Sequence, residues 1–323
     1  MPVQMQDLAA WSDETFARAE VAGRHGRTMG MTIGSHRGKV TVAGKDTVEL
    51  LEGLRSSAGG PDFTLLALPQ SSPGLCPIPV PGTRLGPRGK HILLSETGRS
   101  WTITHSGDVV GLDTRRNLVV HLMTGQSAAE RILPLRESLV LLAKHLGCLL
   151  VHGAGIGWED LGILIVGPSG SGKSTLAAAA LAHGWTVIGD DYVALHADGD
   201  RVHVQQVFRT LAPPPADVAA QRTPGHPRLR VPEQHAAALP ISAIAMFSTV
   251  PGPRPVRASA AAIWRTLALP WLVTQSGTPG TSLDVFRTVS TAAPAWSVNG
   301  HQPPTVLLPQ LARVLEEAKC RSN

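Results

Sequence analysis

The chain has 323 residues, 43% of them hydrophobic and 16% charged. That composition suits folded domains and excludes a disordered polyelectrolyte, and the length allows one large or two medium domains. The net charge of +5 comes from scattered basic residues, densest at Arg115-Arg116 and Arg228-Leu229-Arg230. With no basic stripe interleaved with aromatics, nucleic acid is not a favoured partner, whereas small anions such as nucleotides are.

The three cysteines, Cys76, Cys148 and Cys320, are far apart and odd in number, which argues against a disulfide framework. Cys148 lies in an apolar run and reads as a buried small hydrophobe. The thirteen histidines show no H-E-x-x-H spacing, so no structural zinc is expected. Met1 to Phe16 carries Asp7, Asp13 and Glu14 and has no long apolar core, unlike a signal peptide. The longest apolar region, around Leu139 to Ile156, is broken by Lys144, His145 and His152, so no membrane span and no membrane partner is expected. Together these predict a soluble cytoplasmic protein.

In chain order, a polar start leads into short β-like pieces: Lys39 to Val42, Phe63 to Leu68, His91 to Leu94, Trp101 to Thr104, Val109 to Leu112 and Asn117 to Leu122. Turn-formers separate them, which predicts antiparallel hairpins. Thr47 to Leu54 reads as a short helix, and Pro69 to Lys90, rich in Pro, Gly and Ser, as a loop. Leu133, Leu135, Leu139, Leu142 and Leu146 then recur at helical spacing, with Pro134 in the first turn and Gly147 at the end. A boundary is expected near 125–133, giving a β-rich domain over 1–130 and an α/β domain over 131–323.

Cys148 to Ile156 reads as a strand ending in a glycine turn, and Gly162 to Val166 as a buried strand joined to it by a hairpin-like connection. Next comes Gly167-Pro168-Ser169-Gly170-Ser171-Gly172-Lys173-Ser174-Thr175, which fits the phosphate-loop pattern G-x-x-x-x-G-K-[ST] at every fixed position. The run Leu176 to Ala182 is made of strong helix formers. The glycines let the backbone curl so that N–H groups form an anion nest, and the helix adds its free N–H groups and dipole. Lys173 supplies charge for the β- and γ-phosphates, and Ser174 a hydroxyl for Mg²⁺.

Trp185 to Gly189 is a further strand, and the β-α-β order predicts parallel pairing within this unit. Tyr192 to Ala197 and Val202 to Val207 read as a hairpin, Ile241 to Val250 as a core strand, and Ala258 to Leu269 and Leu307 to Lys319 as helices. Pro213 to Pro215, Pro224 to Pro232 and Pro251 to Pro255 cannot be regular helix.

Asp190-Asp191 ends a strand about twenty residues after the phosphate loop. In phosphoryl transfer one carboxylate can hold Mg²⁺ and a neighbour can accept a hydroxyl proton. Successive strand residues point to opposite faces, so both serve only if the strand has ended there; otherwise the pair merely begins a turn. His152, at another strand end, is suited to contacting a γ-phosphate, to pairing with one of the aspartates, or to simple packing.

Val151 to Gly155, then Gly167 to Thr175, then Gly189-Asp190-Asp191 resembles the HPr kinase/phosphorylase family in order and spacing, over roughly Leu135 to Ala197. At Thr175 the chain departs from the acidic residue usual there. The resemblance implies a phosphate-loop kinase core related to phosphoenolpyruvate carboxykinase, and ATP-dependent phosphorylation of a seryl hydroxyl on a peptide or protein. It further implies that Asp191 is the base, that Asp190 serves Mg²⁺ and that His152 lies beside the γ-phosphate. Relatives that act on ribosomally made, modified peptides are the nearer likeness, which makes such a peptide or its precursor the expected acceptor. A kinase of a small metabolite and a non-catalytic ATP-binding module compete with this reading. Arg209, Arg228 and Arg230 are candidates for stabilising the transferred phosphoryl group. The 211–232 region is a candidate lid, and the oligomeric state stays open.

Overall fold

The computed structural model describes residues 5–44, 47–52, 54, 57–72, 75, 90–94, 98–104, 107–124, 135–208, 210–211, 229–230, 238–248, 252–259, 261–267 and 282–322. The chain is mixed α/β and divides into two compact units, Met1–His145 and Leu146–Asn323. Among the described residues no helix is long and apolar enough to cross a membrane.

In the first unit the polar start is a helix, α1 (Met5–Gly23). Trp11, Phe16 and Ala19 recur at helical spacing on its buried face, while Glu14 and Arg18 pair one turn apart on the exposed one. The strands are β1 (Arg27–Ile33), β2 (His36–Val42), β3 (Phe63–Pro69), β4 (Lys90–Leu94), β5 (Arg99–Ile103), β6 (Val109–Asp113) and β7 (Leu118–Met123). They form one sheet in the order β1-β2-β3-β7-β6-β5-β4.

β1, a strand the sequence pattern did not predict, makes a hairpin with β2, and the expectation of hairpins holds for the meander from β4 to β7. It fails at the centre, where β3 runs parallel to both β2 and β7. The physical reason is visible in Phe63 to Leu68, a run without polar alternation. A strand covered on both faces needs no polar side, and such strands are characteristic of parallel pairing. Helix α2 (Thr47–Glu52) lies in the β2-to-β3 crossover. Helix α3 (Arg136–His145) follows β7 and packs on β6 and β7, so it belongs to this unit and the division falls after His145 rather than near 125–133.

The second unit has β8 (Leu149–Trp158), β9 (Leu161–Val166), α4 (Lys173–Ala182), β10 (Thr186–Gly189), β11 (Tyr192–Asp198), β12 (Arg201–Gln206), β13 (Thr210–Leu211), β14 (Leu229–Arg230), β15 (Ala238–Ser248), β16 (Val256–Arg257), a helical segment α5 over 261–267, α6 (Ser282–Ala292), β17 (Ala295–Asn299) and α7 (Pro304–Ser322). The β8–β9 and β11–β12 hairpins form as the sequence predicts.

The β9-α4-β10 unit departs from expectation in one respect. Gly155 and Ile156 of β8 bridge to β9 on one side and to β10 on the other. The two outer strands therefore run in the same direction but are separated by β8, and the parallel neighbours are β9 with β15 and β15 with β17. β8 is antiparallel to both flanking strands, so a tight hairpin into β9 and a helix return to β10 fill both of its sides.

Two apolar layers cover this sheet. Ile163, Ile165, Ala243, Ala245 and Val298 face α4 and α7 through Leu176, Ala177, Leu311 and Leu315. Leu164, Val166, Ile244 and Met246 point the other way, toward Val193, Leu195, Val202 and Val204 of the β11–β12 hairpin and toward Phe286 and Val289 of α6. Every second residue of β9 and β15 faces one layer, and because both faces are apolar the strands read as continuous hydrophobic runs.

Candidate active site

β9, β15 and β17 are mutually parallel, and β10 shares their direction through its antiparallel contact with β8. Four carboxyl ends therefore meet at one edge of the sheet. In open α/β sheets that edge is where ligands bind. It receives the loop after Val166, the Asp190-Asp191 bend after Gly189, the Ser248 end of β15 and the Asn299-Gly300 end of β17. β8 runs oppositely and brings His152 and Gly153 to the same edge, with Gly153 registered against Val166.

The loop is held by glycine conformations. Gly170 and Gly172 have φ of 78° and 95°, in the left-handed region that side chains disfavour. Nothing lies within 4 Å of where a Cβ on Gly170 would stand, so the loop's outer rim is open. Gly172 is the N-cap of α4, and no side chain caps that terminus. The first N–H groups of α4 are thus left for another acceptor. Ser169 is exposed on the rim, Thr175 is half-buried in the first turn of α4, and Ser171 is buried with its Oγ lacking any hydrogen-bond partner. A buried hydroxyl without a partner is costly in a closed protein and natural where a polar ligand docks.

Lys173 is 5% exposed and its Nζ donates to the carbonyl oxygens of Gly167 and Pro168 at 3.0 and 2.9 Å. Burial pushes its ammonium down from the ordinary lysine value, and Asp191 and Asp190 pull it back up. The loop thus encloses one desolvated positive charge, with the two aspartates as its charged counterparts.

The chain bends at Asp190 and Asp191, between β10 and β11, so the strand has ended and the pair is free of the alternation that would separate the two side chains. Asp190 is buried at 2% exposure, and its carbonyl accepts a 3.1 Å bond from Ser174 Oγ. Asp191 is more open. Its Oδ1 lies 2.9 Å from His152 Nδ1, and its carbonyl accepts the Gly153 N–H at 2.9 Å. The His152 ring also rests against Tyr192, with centroids 5.3 Å apart. Of the open readings for His152, the structure shows the pairing with an aspartate.

Lys173, Ser174, Asp190, Asp191 and His152 are therefore brought to one place. Among the described residues no group of three or more His, Cys, Asp or Glu forms a metal cage. Mg²⁺ ordinarily takes only one or two carboxylates plus substrate oxygens, and a serine hydroxyl beside a buried aspartate fits that habit.

Sequence reasoning missed the β15 and β17 ends. A Cβ on Gly167 would stand 2.9 Å from Phe247 Cβ and from the Phe247 carbonyl oxygen, so the loop starts directly against β15. Asn299 Oδ1 accepts the His301 N–H at 3.1 Å and closes a turn beside the loop. Nothing local in Ala295 to Gln302 marks a site. The one available signal was an Asn-Gly pair between an apolar run and a helix. Arg209 and Arg228, and most of the proposed 211–232 lid, lie outside the described residues; Arg230 is in β14, paired with Thr210.

The chain matches no protein-family model. It matches no curated protein either. Among solved structures, the Hpr(Ser) kinase/phosphatase from Coxiella burnetii matches over 53% of this chain and 98% of its own, at 12% identity and a TM-score of 0.35. A likeness at this level assigns neither a family nor a reaction to this chain.

Proposed function

We propose that this chain is an ATP-dependent kinase that transfers the γ-phosphate to a seryl hydroxyl of a peptide or protein, a ribosomal peptide product or its precursor being the first candidate. The observation that carries the phosphotransfer reading is the convergence of the Asp190-Asp191 bend and His152 on the uncapped start of α4, with Lys173 buried in the loop between them. The peptide acceptor rests on the resemblance of the three motifs in order and spacing.

The residues present fit Mg²⁺-ATP. The loop N–H groups, the α4 terminus and the orphaned Ser171 Oγ would hold phosphate oxygens, and Gly167, Ser169, Gly170, Gly172 and Thr175 shape that cradle. Lys173 would exchange its two loop carbonyls for phosphate oxygens. Ser174 donates its proton to the Asp190 carbonyl, which leaves its oxygen lone pairs for a cation beside the Asp190 carboxylate. Bound Mg²⁺-ATP supplies the phosphoryl group and the cation that neutralises it.

Asp191 accepts the proton of the incoming hydroxyl. His152 orients that carboxylate through Nδ1, in the way a base is held by a third group in other transfer sites. We assign acceptor binding to the Met1–His145 unit, because no glycine phosphate loop precedes residue 150.

The deciding experiment incubates the protein with Mg²⁺-ATP and two pools, one of peptides encoded beside its gene and one of cellular metabolites. A mass gain of one phosphate on a peptide serine supports the reading. Robust phosphorylation of a metabolite, with every peptide untouched, overturns the acceptor class.

A further inference from the structure

We infer that the Asn299–Gln302 turn is a fixed backstop for the phosphate loop, and that Gly300 is its positioning residue. The inference rests on the phosphate-site reading above and adds a part that the loop motif does not contain. Gly300 does not have a left-handed φ, so its lack of a side chain is not a matter of backbone conformation. It is a matter of space. A Cβ on Gly300 would stand 2.3 Å from the Ser171 carbonyl oxygen and 2.5 Å from Phe247 Cδ2. From the other side, a Cβ on Gly172 would stand 2.7 Å from the Gly300 carbonyl oxygen. Two glycines thus let the last turn of the loop and the end of β17 meet backbone to backbone, at the point where α4 begins.

The turn is also braced. Asn299 Oδ1 closes it internally on the His301 N–H. Gln302 Nε2 donates to the Pro253 carbonyl at 3.2 Å, and Gln310 Nε2 of α7 donates to the same oxygen at 2.9 Å. The 252–253 segment, the turn and α7 are therefore tied together behind the loop. A loop built on left-handed glycines has little rigidity of its own, and a braced wall in contact with Ser171 and Gly172 limits where its N–H groups can point.

The test measures Mg²⁺-ATP affinity, melting temperature and amide hydrogen exchange over 168–172 in the full chain. Gly300→Ala is expected to weaken affinity about tenfold and to raise loop exchange with or without nucleotide. Gln302→Ala, which removes hydrogen bonds to the 252–253 segment rather than to the loop, is expected to do the same more weakly, about threefold in affinity. Gly199→Ala, at a hairpin tip with φ of 59° and nothing within 4 Å, is the control for general destabilisation: it should lower the melting temperature and change neither affinity nor loop exchange. If folded Gly300→Ala keeps wild-type affinity and loop exchange, the backstop is refuted. Should Gly300→Ala not fold, Gln302→Ala decides by the same two readouts. Failure of the wild-type protein to bind Mg²⁺-ATP would refute the phosphate-site reading instead, and loop exchange would still report on the backstop.

Discussion

Asp108, His121 and Ser138 in the first unit and Asp191, His152 and Ser174 in the second are nearly the same set of groups. In the first, Ser138 Oγ lies 2.8 Å from His121 Nδ1, and His121 Nε2 lies 3.4 Å from Asp108 Oδ2. Read as bonds, the serine O–H donates to Nδ1 and the Nε2 proton goes to the carboxylate. Asp108 also accepts from the Thr124 N–H and hydroxyl, each at 2.7 Å. All three residues are sealed, at 1%, 4% and 0% exposure. No substrate can approach Ser138, so this chain of bonds holds α3 on β6 and β7. In the second set the His152 and Asp191 side chains are 38% and 27% exposed and stand at the edge of the sheet where the carboxyl ends of β9 and β10 lie. Residue type does not separate a candidate site from a sealed cluster; access does, and the glycine loop and strand ends provide it.

The largest expected effect sharpens that contrast from the exposed side. Lys173→Ala should lower nucleotide turnover by about 100-fold or more while the melting temperature holds, because the ammonium it removes is already desolvated. Turnover near the wild-type rate would break the assignment. Next, Asp191→Asn should reduce transfer by about 100-fold with Mg²⁺-ATP binding retained, as expected for a base that acts only on the acceptor. Asp190→Asn should in addition shift the Mg²⁺ dependence. If both variants keep full activity, the pair is structural and the two clusters do not differ in role.

From the sealed side, Ser138→Ala should cost about 1–3 kcal/mol of stability, since it leaves His121 Nδ1 buried without a partner, and should leave Mg²⁺-ATP affinity unchanged. A serine-directed fluorophosphonate should fail to label Ser138 in the native protein. Labelling there would mean the cluster opens.

Acid should weaken both units. His145 in the first and His196 in the second are each held below the ordinary imidazole value, chiefly by burial, with His36 adding to the effect on His145 and His203 to that on His196, where Asp198 opposes it. The fold therefore favours the neutral rings. Their contribution is complete above about pH 6.5 and is lost as pH falls through that value toward the lower folded pKa, because the unfolded chain takes up protons first. Urea midpoints at about pH 7.5 and 5.5 should show the fall, and His196→Gln should make it shallower. The smallest effect concerns thiols. Burial pushes the Cys148 thiol up to about 12, so in a Cys76→Ser background iodoacetamide should modify the exposed Cys320 and spare Cys148.

The amino-acid sequence by itself determined whatever is local. Gly167 to Thr175 is legible because the pattern it fits occupies eight consecutive residues, Gly167 to Ser174. The β8–β9 and β11–β12 hairpins are legible because a short turn joins two β-like runs that are neighbours in the chain. The Asp190-Asp191 bend was legible as a strand end, and its pairing with His152 stayed one option among several. Only the tertiary structure decided that β8 separates β9 from β10, that β3 is a parallel central strand, and that residues 299–302 stand behind a loop more than a hundred positions earlier. Only the fold, likewise, brought Asp108, His121 and Ser138 together and closed them off. These are outcomes of which apolar faces cover which, and burial depends on partners far away in the chain, so no window of neighbouring residues encodes it.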